Sequence, residues 1–305
     1  MRIVFFGTPD FAVPSLRAAN DSGHDIVAVV TQPDKERDRR KVSYSPIKQA
    51  ALDMGLRVLQ FDKVSRDGVE QLKALNADLF VTCAFGQILS QAILDIPPLG
   101  TINVHGSLLP KYRGAAPIQR AVINGEKYTG ITIMRTALQV DSGDILLNSV
   151  MEIGERETAG QLFDRMAVEG GIALKKALDL IAEGKAVYTP QDESKATFCP
   201  MLKKDDGKLD FTLDAKSLDN LIRGVTPWPS AYTFVDGKRL KILSARYREY
   251  NGAGECGEII AVGDDIIIKC AQDALSIEEV QLEGGKRQDI FSFMRGHDIV
   301  GKVLQ

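Results

Sequence analysis

Hydrophobic positions in the first half of the chain follow two alternating patterns, one typical of strands and the other typical of helices. Short runs rich in β-branched and aromatic residues indicate strands, and the segments between them carry apolar residues at helical spacing. This alternation predicts a Rossmann-like α/β fold, with a mainly parallel sheet and helices on both of its faces. The predicted strands are residues 2–6, 25–31, 57–61, 78–85, 100–109, 128–135 and 144–153, and the helices between the first four are residues 11–20, 45–55 and 66–75.

The strands predicted at residues 78–85 and 100–109 lie in the least charged stretch of the chain. Between Leu79 and Pro110 the only charged residue is Asp95. A strand that is buried on both faces has such a composition, so we expect these two strands at the centre of the sheet. A long helix follows the last strand, because Thr158 and Gln161 match a capping box and helical spacing continues to about residue 183.

The periodicity is lost at residues 187–205, and the pattern beyond them is that of a small β domain. A short helix is predicted between an N-cap at Asp214 and a stop signal at Gly224. Asp236 and Gly237 form a strong hairpin signal. About five short strands in this part of the chain predict a small OB-like β-barrel. The predicted organisation is therefore a catalytic domain at residues 1–186, a linker at 187–205 and an OB-like C-terminal domain at 206–305.

The composition is that of a soluble globular protein, with 44% hydrophobic and 26% charged residues. We find no uncharged run suited to crossing a membrane, and the first ten residues lack the longer apolar core of a secretory signal. The cysteines are widely spaced and form no CxxC pair, so neither a disulfide framework nor a metal site is expected. These features predict a reduced, cytoplasmic protein. The cysteines are Cys83, Cys199, Cys256 and Cys270.

The charge balance excludes a protein that binds nucleic acid by overall basicity, because 38 basic and 41 acidic residues give a net charge of −3. A polyanion would have to bind a local patch. Residues 34–48 form one candidate, a long polar loop with six basic and three acidic residues. Such a loop is either a solvated surface or a mobile basic finger that grips phosphates, with Tyr44 stacking on a base.

The strand that ends near residue 109 carries the strongest chemical signal. Side chains alternate along a strand, so Asn103 and His105 lie on one face. An amide donor beside an imidazole suits a developing oxyanion at the carboxyl end of a parallel strand. The alternative is a structural histidine whose ring is satisfied inside the sheet. Asp141 lies in an Asp-Ser-Gly-Asp turn, and either the turn alone explains it or its carboxylate reaches back to His105.

The loop after the first strand argues against a nicotinamide cofactor. It has one glycine, Gly7, where the dinucleotide fingerprint needs three, and Pro9 interrupts the turn.

Several motifs in family order resemble the folate-dependent formyltransferases, and most closely those that act on an aminoacylated tRNA. The run from Asn103 to Arg120 and the residues around Asp141 carry the catalytic part of this resemblance, and residues 200–210 with Pro227-Trp-Pro229 extend it into the C-terminal part. Gly7-Thr-Pro-Asp-Phe11 and Thr31-Gln-Pro-Asp34 also match. The resemblance therefore covers essentially the whole chain.

The resemblance implies transfer of a formyl group from 10-formyltetrahydrofolate to the α-amine of methionyl initiator tRNA, for translation initiation. The implied catalytic residues are Asn103 as the oxyanion donor, His105 as a donor and general acid, and Asp141 as the orienter and proton acceptor. The implied folate-binding residues are Ser107, Leu108, Leu109 and Pro110. The expected tRNA-binding residues are Lys35, Arg37, Arg39, Arg40, Lys41, Lys203 and Lys204, with Lys238, Arg239 and Lys241 as further candidates.

Two alternatives remain open from the sequence. A related formyltransferase with another amine acceptor, or a formyl-folate hydrolase, would keep Asn103, His105 and Asp141 and change the acceptor site. A non-catalytic RNA-binding module would use the barrel and the basic loop, but it has no need of the Asn–His pair. We expect no metal ion, no membrane association and no obligate protein partner.

Overall fold

A computed structural model describes residues 1–37 and 41–305 of the chain. The strands are β1 (Arg2–Gly7), β2 (Asp25–Thr31), β3 (Lys35–Arg37), β4 (Lys41–Ser43), β5 (Val58–Gln60), β6 (Leu79–Cys83), β7 (Thr101–His105), β8 (Arg113–Gly114), β9 (Tyr128–Arg135), β10 (Ile145–Glu152), β11 (Phe198–Cys199), β12 (Ala231–Val235), β13 (Lys238–Arg248), β14 (Ile259–Val262), β15 (Asp265–Lys269), β16 (Ala274–Leu282) and β17 (Gln288–Asp289). The α-helices are α1 (Val13–Asn20), α2 (Pro46–Asp53), α3 (Val64–Asp67), α4 (Val69–Lys73), α5 (Gln91–Leu94), α6 (Pro117–Ile123), α7 (Ala159–Ala182), α8 (Ala215–Gly224) and α9 (Ile290–Met294), and three 3₁₀ turns lie at Asp10–Ala12, Glu193–Lys195 and Lys204–Gly207.

The main sheet has seven strands in the order β10-β9-β7-β6-β1-β2-β5. The strands from β7 to β5 are parallel, and β9 and β10 continue the sheet in antiparallel register beyond β7. The strands β6 and β7 are almost wholly buried, as the uncharged stretch predicts. The predicted Rossmann-like α/β class is therefore confirmed.

Helices cover both faces of this sheet, and their packing shows which face of β7 carries Asn103 and His105. On one face, residues of α3, α4 and α5 pack with Val4, Phe6 and Phe80 in one apolar cluster. On the other face, helix α7 approaches so closely that a Cβ at Gly170 would lie 3.2 Å from Val104 Cγ1. Because side chains alternate along a strand, Asn103 and His105 point away from α7.

Two predicted elements of the first part of the chain end earlier than their patterns suggest. The strand predicted at residues 100–109 ends at His105, because the next turn is held by side-chain hydrogen bonds. Ser107 Oγ donates to Lys111 O at 2.6 Å, and the Leu109 N–H donates to Thr132 Oγ1 at 3.1 Å. The helix predicted at residues 66–75 is instead the pair α3 and α4, which meet at Gly68.

The C-terminal part forms an antiparallel sheet in the order β12-β13-β16-β15-β14, with β17 paired to β16. Residues 301–305 join its two edges. Gln305 exchanges two backbone hydrogen bonds of 3.1 Å with Phe234 in β12, while Val303 forms a bridge with Glu258 next to β14. The helix α8 begins at its predicted cap, where Ser217 N donates to Asp214 Oδ1 at 2.9 Å. This arrangement confirms the predicted small β-barrel.

The described residues form two compact units that are discontinuous in sequence. The first contains Met1–Pro117, Tyr128–Glu152 and Phe163–Cys199, and the second contains Ile118–Lys127, Ile153–Leu162 and Pro200–Gln305. Part of the segment interpreted as a linker is built into the first unit, because β11 pairs with β8 and Thr189 forms a bridge with Ile145. The division into functional domains at residues 186 and 206 stays a prediction. No helix among the described residues is both long and apolar enough to cross a membrane.

Candidate active site

The side chain of Asn103 is oriented by the neighbouring strand. Thr82 in β6 stands beside Asn103 in the parallel register, and its hydroxyl donates to Asn103 Oδ1 at 2.8 Å. An amide whose oxygen is engaged in this way presents its N–H groups in a fixed direction. Within residues 1–37 and 41–305, no group accepts a hydrogen bond from this amide nitrogen. Asn103 is thus a half-buried, pre-oriented donor at the carboxyl end of a central strand.

His105 is buried, with 5% of its surface exposed, and both of its ring nitrogens face acceptors. Its Nε2 lies 3.0 Å from Tyr112 O, and its Nδ1 lies 3.5 Å from Asp141 Oδ2. A carbonyl oxygen only accepts, so Nε2 carries a hydrogen and donates it. The Asp141 carboxylate is the acceptor that faces the other ring nitrogen, Nδ1. The contact between Asp141 and His105, one of the two alternatives for Asp141, is present in the structure.

Asp141 is held in an unusual backbone conformation between β9 and β10. Its φ is +50°, in the left-handed region that non-glycine residues rarely adopt. Its Oδ2 accepts a hydrogen bond of 2.8 Å from the N–H of Gly114. Gly114 itself needs to be glycine, because its φ is +121° and a Cβ there would lie 2.4 Å from Cys199 O. The short β8–β11 pair therefore places a backbone donor on the carboxylate.

The residue before Gly114 is a buried arginine, Arg113, which binds two side chains close to the Asp141 loop. The side chain of Arg113 is fully buried and makes a two-pronged ion pair with Glu193, with distances of 2.9 and 2.7 Å. The Arg113 guanidinium lowers the pKa of the Glu193 carboxyl. Arg113 also donates to Gln191 Oε1, at 3.1 Å from Nε and 2.8 Å from Nη2. Gln191 in turn contacts the backbone of the Asp141 loop.

The four residues implied in folate binding form the turn that follows β7. Ser107 and Leu109 are buried, whereas Leu108 and Pro110 are partly exposed. The turn is anchored from β9, because Thr132 Oγ1 lies 2.7 Å from Ser107 O. Leu108 and Pro110 are therefore the members of this set that keep part of their surface exposed.

Exposed apolar side chains occur in the β9–β10 loop and in the loop after β6. Leu138 and Val140 precede Asp141, and Ile88 lies in the loop after β6, all of them largely exposed. The backbone of the β6 loop is held by two side chains from neighbouring loops. Thr8 Oγ1 donates to Phe85 O at 2.8 Å, and Gln32 Nε2 donates to Gly86 O at 2.9 Å. The loop that carries Ile88 is therefore held through its backbone at Phe85 and Gly86.

The basic segment, which we expected to be a long polar loop, contains a two-stranded hairpin. Strands β3 and β4 pair in antiparallel register. The base of the hairpin is tied together by an ion pair of Asp34 with Lys48 and a 2.9 Å contact between the hydroxyls of Thr31 and Ser45. The hydrogen bond from Lys48 lowers the pKa of the Asp34 carboxyl. The hairpin is thus fixed at its root.

The expected tRNA-binding residues are distributed over both units. Lys35, Arg37 and Lys41 lie on the hairpin strands, whereas Arg39 and Arg40 lie outside the described residues. Lys203 and Lys204 are exposed in the second unit. Of the further candidates there, Lys238 is exposed and Lys241 is partly buried, while the Arg239 guanidinium lies 4.2 Å from the centre of the Tyr232 ring. No cluster of three or more potential metal ligands occurs in the part of the chain that the structure describes.

Sequence reasoning missed four contributors to this site: Thr82, the carbonyl of Tyr112, the N–H of Gly114, and Gln191. Thr82 is visible only once the strand order is known. Gly114 and Tyr112 act through their backbones, which carry no residue-specific signal. Gln191 lies in a segment without periodicity, so its position next to Asp141 follows only from the three-dimensional structure.

Comparisons with known proteins agree over nearly the whole chain. The model of the formyl transferase family matches residues 1–178, and the model of the formyl transferase C-terminal domain matches residues 201–298. A methionyl-tRNA formyltransferase of Agathobacter rectalis is 46% identical over 299 residues, covering 97% of this chain and 96% of that protein. A protein of the same name from Caldanaerobacter subterraneus subsp. tengcongensis is 46% identical over 309 residues, covering both chains completely.

The fold is shared with solved structures of lower sequence identity. The N-formyltransferase of Helicobacter canadensis, in complex with folinic acid and dTDP-3-aminofucose, superposes with a TM-score of 0.70 at 17% identity, covering 94% of this chain and 99% of that one. A sugar 3N-formyltransferase named WlaRD superposes with a TM-score of 0.69 at 20% identity, covering 92% and 97%. At these identities the likeness concerns the fold of both units.

Proposed function

This chain belongs to the formyl transferase family, and from that premise we propose that it transfers a formyl group from 10-formyltetrahydrofolate to the α-amine of methionyl initiator tRNA. The observation that carries the proposal is the 46% identity to methionyl-tRNA formyltransferases over the entire length, including the C-terminal unit. The structural neighbours that act on sugars reach only 17–20% identity, so they favour no other acceptor.

The loops around β7 suit a folate-derived formyl donor. Leu108 and Pro110 are partly exposed after β7, and Leu138 and Val140 expose apolar surface before Asp141. A flat heteroaromatic ring gains binding free energy by covering such side chains. In our proposal the ring lies against these loops, which brings its formyl group to the face of β7 that carries Asn103.

Catalysis requires stabilisation of charge on the formyl oxygen. The amine is already a nucleophile, so it attacks the formyl carbon directly and no covalent enzyme intermediate is needed. As the new C–N bond forms, the formyl oxygen becomes an oxyanion. The pre-oriented amide N–H of Asn103 donates to this oxyanion, and the positive charge of protonated His105 stabilises it from the same strand face.

One proton moves from the acceptor nitrogen to the donor nitrogen during the reaction. Asp141 accepts the proton of the attacking amine, and His105 gives the proton on its Nδ1 to N10 as the bond between N10 and the formyl carbon breaks, while its Nε2 keeps its hydrogen on Tyr112 O. The proton on Asp141 then passes to His105 across their 3.5 Å contact. The net change is one N–H bond lost at the amine and one gained at N10, and the side chains return to their initial state.

The acceptor tRNA is proposed to contact basic residues of both units. The strands of the hairpin contain Lys35, Arg37 and Lys41, and the root of the hairpin is anchored by the ion pair of Asp34 with Lys48. Arg39 and Arg40 belong to the same basic run, and Lys203 and Lys204 are exposed candidates in the second unit. Such contacts to phosphates position a nucleic acid without reading its sequence.

The experiment that tests the function is formyl transfer from 10-formyltetrahydrofolate to methionyl initiator tRNA, with methionyl elongator tRNA as the control. Formylation of the initiator alone supports the proposal. Release of the formyl group to water or to a free amine, without formylation of tRNA, would replace it with the hydrolase or with a related formyltransferase.

The catalytic assignment predicts that Asn103→Ala lowers kcat by about 10²–10³-fold, because one oxyanion donor is lost. The KM values for both substrates should change little, since the interaction forms in the transition state. Steady-state kinetics with charged initiator tRNA measure both quantities. A variant with nearly normal kcat would remove Asn103 from the mechanism.

A further inference from the structure

We propose that Gln191 is a positioning residue, whose side-chain amide holds the Asp141 loop against His105. This inference rests on the proposed function, because it assigns Gln191 to the reaction in which Asp141 takes part. Gln191 lies 50 residues beyond Asp141, in a segment whose sequence is typical of a linker.

The first contact is between the amide nitrogen of Gln191 and the loop backbone. Nε2 donates to Asp141 O at 2.8 Å and to Gly143 O at 2.7 Å. The second carbonyl belongs to a tightly packed residue, because a Cβ at Gly143 would lie 1.9 Å from Arg135 O. A left-handed residue such as Asp141 persists only where its surroundings hold it. Both hydrogens of one amide group supply that restraint here.

The second contact fixes which way the Gln191 amide faces. Its Oε1 accepts from the buried Arg113, which leaves the amide nitrogen directed at the Asp141 loop. Arg113 precedes Gly114, whose N–H donates to the Asp141 carboxylate. The backbone of Asp141 is therefore held by Gln191 and its carboxylate by Gly114, and both supports are tied to β8.

The contact between Asp141 and His105 is long enough to depend on these supports. Nδ1 and Oδ2 are 3.5 Å apart, so a small outward movement of the loop would break their interaction. A displacement of about 1 Å in a catalytic group costs on the order of 10²-fold in rate. Gln191 does not need to touch either substrate to exert an effect of this size.

The test is the variant Gln191→Glu. Its carboxylate still accepts from Arg113, but an oxygen replaces the NH₂ group and faces two carbonyl oxygens. We expect kcat to fall by about 10- to 100-fold, with KM for both substrates within about threefold of the original values. Gln191→Met removes the two hydrogen bonds without introducing repulsion, and a smaller fall in kcat is expected.

Asp192→Asn is the matched control, because it lies on the adjacent residue and makes an equally small change. The Asp192 carboxylate bonds within its own turn, to the N–H and hydroxyl of Ser194 and to Lys195. It is expected to keep the original kcat.

Two readouts separate positioning from a general loss of structure. In an Asp141→Asn background, Gln191→Glu should lower kcat by less than about threefold further, because the effects of residues that act through one contact are not additive.

The second readout is NMR. The chain has three histidines, so the ring-proton NMR signals of His105 can be assigned by substitution. These signals should shift in both Gln191 variants, while those of His24 and His297 stay in place.

The proposal is overturned if both Gln191 variants keep kcat within about twofold, if the effects of Gln191→Glu and Asp141→Asn multiply fully, or if the His105 signals do not move. The NMR readout needs no substrate, so it remains decisive if the wild-type protein fails to formylate tRNA. In that case the proposed function fails, while the hold of Gln191 on the Asp141 loop is judged by the His105 signals alone.

Discussion

At the scale of single residues, the hydroxyl of Thr82 fixes the orientation of the Asn103 amide. It donates to Asn103 Oδ1 at 2.8 Å and lies 3.2 Å from Ile102 O. Without it, the Asn103 amide is free to rotate, and its N–H groups are less often directed at the substrate. Preorganised donors are effective because they need no rearrangement during the reaction.

We predict that Thr82→Val lowers kcat by about 2- to 10-fold, which corresponds to the net free energy of one hydrogen bond. Thr82→Ser keeps the hydroxyl and should keep most of the activity. Steady-state kinetics at saturating substrate test this difference. If Thr82→Ser loses as much activity as Thr82→Val, then the packing of the Thr82 methyl group matters, and the hydrogen bond does not.

The site shows which residues a sequence can reveal. Asn103 and His105 are predictable because they occur two positions apart in an uncharged strand, which fixes their common face. Asp141 is predictable as a turn residue, but its contact with His105 depends on the path of the chain between β9 and β10. Gln191 and Thr82 have ordinary polar side chains, and only long-range packing brings them to the site.

At the scale of elements, the hairpin β3–β4 is the part of the first unit that we propose to contact tRNA. Its root is fixed by the ion pair of Asp34 with Lys48, and Gln60 Nε2 donates to Asp34 Oδ1 at 3.0 Å. The Lys48 ammonium nitrogen lies over the ring of Tyr44, 4.2 Å from the centre of that ring. Tyr44, which the basic-finger interpretation assigned to stacking on a base, therefore already contacts Lys48 at the root.

We predict that the double variant Arg39→Glu/Arg40→Glu raises KM for tRNA by about tenfold and leaves KM for the folate unchanged. The dependence of log KM on log salt should become shallower by about 1 to 2, because two phosphate contacts are lost. Lys175→Glu/Lys176→Glu is the control, since it reverses an exposed basic pair on α7. An unchanged KM for tRNA in the Arg39→Glu/Arg40→Glu variant would exclude these two arginines from tRNA binding.

Elements with a strong repeating pattern are the ones that the sequence predicts well. The sheet strands and α7 have such patterns, and the caps at Thr158 and Asp214 mark their helices correctly. The elements that the sequence did not predict lack such a repeating pattern. The hairpin strands are three residues each and mostly charged, and α5 has four residues. Their conformations depend on the packing of neighbouring elements, which a local pattern does not contain.

At the scale of the whole molecule, the two units bury three of the four thiols. Cys83, Cys199 and Cys270 are buried, whereas Cys256 is exposed. Burial raises the pKa of Cys83 to about 12 and that of Cys270 to about 12. The reactive thiolate is therefore rare at Cys83 and Cys270.

We predict that iodoacetamide at about pH 8 modifies Cys256 rapidly and leaves the three buried cysteines intact. At this pH a thiol with a pKa near 12 is ionised in about one molecule in 10⁴. After urea has unfolded the chain, all three buried thiols should react at an ordinary rate. Peptide mass spectrometry before and after addition of urea measures each site. Rapid modification of Cys83 without urea would show that the core of the first unit opens readily.

The discontinuous units also set an order of events during synthesis. The chain passes from one unit to the other five times, and the segments Ile118–Lys127 and Ile153–Leu162 belong to the unit completed by Pro200–Gln305. Ile123 packs against the core of that later segment. At about 5–20 residues per second, a ribosome needs roughly 4–16 s to advance from residue 118 to residue 200. Throughout that interval the nascent chain carries an apolar helix face whose partner does not yet exist, which is a natural target for chaperones that bind emerging chains.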